Sequence, residues 1–173
     1  IGMTLLIAVV AGAVGIAYSV ALFKACEAAT GKPPQPAPGT EDLAGIFAGN
    51  LPLVLAFGLA AAIWEEVFVR IFLLNGLRLL FRKAQGATVA AVIVSSAIWA
   101  AGHAGTMNPE LVKFLQVFPI GILFSIVYLK RGAEATLAAQ TILDDGAVVY
   151  LNGVEVLRLP ATGWSDPVTW KSL

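Results

Sequence analysis

Charge is scarce in this sequence. Asp, Glu, Lys and Arg make up 13 % of its 173 residues, against roughly 25 % in soluble domains, so an ordinary water-soluble enzyme is excluded early. The 11 basic and 11 acidic residues cancel, which leaves no basic face for a nucleic-acid backbone. A single cysteine, Cys26, rules out an intrachain disulfide and a cysteine-built zinc site. A single histidine, His103, rules out motifs that need two, the His-Glu-x-x-His zinc helix among them. What is plentiful is apolar: 58 % of the residues are hydrophobic and the mean hydropathy is +0.84. Length and composition together predict one domain, an all-α polytopic membrane protein embedded in a lipid bilayer.

Met3 to Phe23 is a run of 21 uncharged residues, enough to cross a hydrocarbon core that needs about 20. Its length and the lack of a basic start argue for a retained helix rather than a secretory signal, and a chain beginning on Ile1 is expected to be a fragment. Lys24 to Asp42, with Lys-Pro-Pro-Gln-Pro-Ala-Pro-Gly, reads as an extended, exposed loop. Further spans are expected over Leu43 to Arg82, Thr88 to His103 and Leu111 to Leu129, the last kinked at Pro119. A fifth apolar segment starts at Ala133 and stops short at Asp144. The expected architecture is therefore four full transmembrane helices plus a shorter fifth. Arg78, Arg82, Lys83, Lys130 and Arg131 fall in connections on one side, which places those loops and the N-terminus in the cytoplasm of a bacterial cell.

Within these segments, Trp64-Glu65-Glu66-Val67-Phe68-Val69-Arg70 sets three ionisable groups in an apolar helix, each costing on the order of 2.5–3.5 kcal/mol near the bilayer centre. Arg70 lies four residues after Glu66, on the same helix face, so those two can pair. Glu65 is rotated away by about 100°. A carboxylate left outside such a pair suits general acid–base work, whereas the plain structural alternative is a Glu–Arg clamp with Glu65 at a wet edge. Measured along the helices at about 1.5 Å per residue, Glu65 lies about 20 Å from Arg78, His103 about 25 Å from Gly86, and Asp144 about 20 Å from Arg131. Glu65, His103 and Asp144 are thus expected at one level of the bundle, with Gln140 about 14 Å from Arg131.

These residues resemble the motifs of the CAAX-protease and bacteriocin-processing family (CPBP or Abi) of glutamate-dependent intramembrane proteases. Its Glu-Glu-x-x-x-Arg motif matches Glu65, Glu66 and Arg70, and its aromatic-x-x-x-His motif matches Trp99 and His103. Its third motif, His-x-x-x-Asn or His-x-x-x-Asp, matches Gln140 to Asp144 with glutamine in place of histidine. The resemblance covers Leu43 to Asp144. It implies hydrolysis of a peptide bond by a water that Glu65 activates, with Glu66 and Arg70 holding that carboxylate, His103 binding the water or the oxyanion, and Asp144 completing the polar floor. Gln140 and Trp99 are candidates for oxyanion or polar support. No cofactor is required, and a divalent metal is disfavoured by the single histidine. The implied partner is a peptide or protein substrate at the membrane.

Gln140 can donate a hydrogen bond but does not titrate, so the alternative is a catalytically silent membrane binding or self-immunity protein. A proton-relay transporter fragment finds no inverted repeat in support. Beyond Asp144 the chain changes character. Two β-branched runs joined by Asn152-Gly153 predict a β-hairpin-like extension, and residues 145–160 resemble a fragment of a bacterial extracytoplasmic β-sandwich module. Residues 1–144 are read as the membrane domain and 145–173 as a short, truncated or joined tail that is poorly ordered.

Overall fold

The computed structural model describes residues 2–38, 51–144, 148–151 and 154–158, the last stretches of the chain in their backbone only. Helix α1 runs Gly2–Thr30. The loop expected from Lys24 therefore starts seven residues late, because Lys24-Ala-Cys-Glu-Ala-Ala-Thr contains good helix formers and no breaker. Gly31 ends the helix with φ +74°, and its N–H donates to Glu27 O at 2.8 Å. Within the loop, β1 (Gln35–Pro36) pairs antiparallel with β2 (Met107–Asn108). Residues 39–42 of the expected loop and 43–50 of the expected second span lie outside the described residues.

From Leu51 the chain forms α2 (Leu51–Glu65), a π-helical segment (Glu66–Leu74) and α3 (Asn75–Leu80) in direct succession. Helix α4 comes next over Ala87–Ala101, then α5 over Glu110–Arg131, which passes through Pro119, and α6 over Ala133–Asp144. Two of these, α1 and α5, are long and apolar enough to cross a membrane. The third expected span is shorter than predicted: α4 ends at Ala101, and its 15 residues reach about 22 Å. Gly102 turns the chain, so His103 sits just past the helix rather than at its last position. Val148–Leu151 (β3) and Val154–Arg158 (β4) lie antiparallel with a register shift between Val149 and Tyr150; Asn152-Gly153 is outside the described residues.

The helices pack as a bundle in which small residues permit close approach. Ala8 and Ala11 of α1 meet Ala135 and Ala139 of α6 in one buried cluster with Val69, Trp99, Val117, Ile120 and Phe124. Polarity is distributed in the reverse sense to a soluble domain. Glu66, Arg70, Ser95, Ser96, Ser125, Thr136 and Gln140 are buried, while Phe72 and Leu80 are at least 70 % exposed. Such a pattern suits a solvent that is itself apolar.

Helices α4 and α5 come close at Gly121 of α5. A Cβ there would stand 2.9 Å from Trp99 Cε3 and 3.1 Å from Ser96 Cβ. Gly121→Val is accordingly expected to destabilise the bundle by about 1–3 kcal/mol, read as a lowered unfolding midpoint in detergent micelles. A midpoint equal to wild type would show that α4 and α5 separate freely at this contact.

Candidate active site

The end of α2, the π-helical segment, α4 and α6 bring polar side chains to a common point. The π-helical segment turns Glu66, Val69, Arg70 and Leu74 inward. Arg70 is fully buried and its Nε lies 3.8 Å from Glu66 Oε2. Its guanidinium carbon stands 4.4 Å from the centre of the Trp99 ring and 5.6 Å from that of Phe124, within the range of cation–π attraction. From α6, Thr136 Oγ1 donates to Glu66 Oε1, and Gln140 Oε1 accepts from Arg70 Nη1 at 3.4 Å. The pair that the four-residue spacing suggested is thus formed, and it is embedded in a larger polar cluster.

Glu65 occupies the open side of this cluster. Its Oε2 accepts from Trp99 Nε1 at 2.7 Å and from Gln140 Nε2. Its Oε1 faces His103 Nε2 at 3.7 Å. That separation exceeds a direct hydrogen bond. The side chains of Glu65 and His103 keep 20 % and 24 % exposure, against 4 % or less for Glu66 and Arg70. So one carboxylate of the adjacent pair is sealed in and the other is reachable.

The orientation of His103 is set by its partner. Nδ1 lies 2.9 Å from Trp99 O, and a carbonyl only accepts, so Nδ1 carries a proton. Nε2 is then the nitrogen that meets the Glu65 side, as an acceptor in the neutral ring and a donor in the cation. The imidazole also stands edge-on to the Trp99 indole, with centroids 5.3 Å apart. Trp99 therefore orients both Glu65 and His103.

The structure brings together Glu65, Glu66, Arg70, Trp99, His103 and Gln140. The side chain of Asp144 lies outside the described residues. Sequence reasoning missed Thr136, although a hydroxyl one turn before Gln140 in a short apolar helix was a readable signal. It also missed Phe124, whose ring gives no polar cue. Among the described residues no three His, Cys, Asp or Glu side chains gather.

A family model described as Type II CAAX prenyl endopeptidase Rce1-like matches residues 47–144, more than half of the chain. The chain belongs to that family. No curated protein and no solved structure matches it. Within the Rce1-like family, whose members are membrane-embedded CAAX-type proteases, the matched region contains every residue of the cluster just described.

Proposed function

We propose that this Rce1-like chain is an intramembrane endopeptidase in which Glu65 activates a water for attack on a peptide carbonyl. The observation that supports this reading is the asymmetry of the Glu65 carboxylate. One oxygen is fixed by two N–H donors, Trp99 and Gln140, while the other faces His103 on a half-buried side chain. A water between Glu65 Oε1 and His103 Nε2 would give a proton to the carboxylate as its oxygen bonds to the carbonyl carbon. The same proton then passes to the leaving nitrogen as the C–N bond breaks, the acid–base cycle expected of a positioned glutamate. His103, when protonated, donates to the developing oxyanion. Glu66, Arg70 and Thr136 hold the π-helical segment from which Glu65 projects.

The substrate is a peptide or protein segment at the membrane, either a CAAX-type C-terminus or a secreted peptide precursor. The chain is polytopic in this reading, with the N-terminus and the basic loops in the cytoplasm, catalysis needs no cofactor, and Asp144 belongs to the polar floor.

A second reading has its own observation. Gln140 is held at both ends of its amide, by Arg70 and by Glu65, and brings no titrating group where the family motif has histidine. A silent binding protein would show that arrangement as well. Incubating the purified protein in detergent with a peptide library, beside Glu65→Ala and Gln140→His, separates the two. Cleavage by wild type that vanishes in Glu65→Ala is the expected result. Cleavage that survives Glu65→Ala overturns the glutamate mechanism, and cleavage that starts only with Gln140→His establishes the silent reading.

A further inference from the structure

Asn75 stands at the junction where the π-helical segment returns to α-helix, away from the cluster around Glu65. Its backbone N–H bonds Phe72 O. That N–H would reach Arg70 O in a π turn and Ile71 O in an α turn. The side chain reaches both carbonyls, Asn75 Nδ2 lying 3.2 Å from Arg70 O and 3.1 Å from Ile71 O. The same nitrogen lies 2.8 Å from Tyr128 OH on α5, so its two hydrogens are shared among three acceptors, and Asn75 Oδ1 accepts from Arg78 Nη1 at 3.3 Å. The orientation of the amide is fixed by chemistry, since two carbonyls need a donor and a guanidinium needs an acceptor.

We propose that Asn75 is a positioning residue: by bonding Arg70 O and Ile71 O through its side chain, it holds the π turn that aligns Glu65 with Arg70. This rests on the reading of Glu65 as the base. A residue gained or lost in a helical turn rotates the N-terminal part of the helix against the C-terminal part by about 100°. If the segment relaxed to α-helix, Arg70 and Leu74 could not stay inward while Glu65 kept Trp99 and Gln140. The link to Tyr128 anchors the junction to α5, the helix that also carries Phe124 beside Arg70.

The test uses the full chain in detergent, with Asn75→Leu, which has similar size and no donor, Asn75→Asp, which turns an acceptor to both carbonyls, and Tyr128→Phe, which leaves both carbonyl contacts intact. Amide hydrogen exchange over 66–75 is expected to rise by about 10-fold or more in both Asn75 variants and less in Tyr128→Phe, with 87–101 unchanged. Peptide cleavage by the Asn75 variants is expected to lose kcat by a similar factor with KM within about twofold. Exchange over 66–75 equal to wild type in Asn75→Leu and Asn75→Asp overturns the proposal, as does faster exchange with kcat unchanged. Should wild type cleave no peptide, the peptidase reading falls, and the exchange result alone decides whether Asn75 holds the π turn.

Discussion

Glu65→Gln is expected to lower kcat for peptide cleavage by about 10²–10⁴-fold while leaving the fold intact. The amide is the same shape as the carboxylate. Its oxygen can still accept from Trp99 Nε1 and Gln140 Nε2, the two contacts that fix Glu65 Oε2. Its nitrogen then takes the place of Oε1 on the side of His103, where the carboxylate oxygen now stands 3.7 Å from Nε2. That nitrogen cannot take a proton from water. Glu65→Asp keeps the base but withdraws it by one methylene from both N–H donors, and should fall between the two. The check is steady-state cleavage of one identified peptide, beside an unfolding midpoint that matches wild type. Cleavage by Glu65→Gln within about tenfold of wild type would assign the base to another group.

Arg70→Met has the largest expected effect on stability, a loss of about 3–5 kcal/mol. It leaves the Glu66 carboxylate, whose Oε2 lies 3.8 Å from Arg70 Nε, buried without that cation. It also takes a donor from Gln140 Oε1 and the cation from beside the rings of Trp99 and Phe124. The second half of the prediction separates lost charge pairing from lost packing. In Glu66→Met/Arg70→Met no charge is left behind, and apolar replacement of a whole buried pair is commonly neutral, so most of the loss should be recovered. Thr136 keeps Ala133 O, at 3.1 Å, as an acceptor. Arg70→Lys retains the charge without the planar fork that reaches Glu66 and Gln140 while stacking on Trp99, and is expected to lie between wild type and Arg70→Met. Unfolding in mixed micelles by increasing fractions of a denaturing detergent measures all three. A double variant as unstable as Arg70→Met would place the cost in packing.

Much of this site was legible because charge in an apolar run is costly and therefore informative. Glu65, Glu66 and Arg70 declared themselves that way, and residue counts along the helices were enough to put His103 near Glu65. The π turn was not legible. Inward positions 66, 70 and 74 have the spacing that an ordinary helical stripe would give, so the pattern does not distinguish the two hydrogen-bonding schemes. The extension of α1 to Thr30 was missed because polarity was read as a boundary, whereas the backbone continues until Gly31 allows a left-handed turn. Polarity marks where a helix leaves the lipid; the breaker marks where it ends.

Gln140 is a dipole lying head to tail between a fixed cation and a reachable anion, its oxygen on Arg70 and its nitrogen on Glu65. Turning it over would put oxygen against carboxylate and nitrogen against guanidinium, so each charge holds the amide in the sense that the other needs. Glu65 and Arg70 are consequently wired through one rigid group. Each charge favours the amide orientation that the other uses, so the outer carboxylate and the buried guanidinium are linked although no hydrogen bond between them is needed.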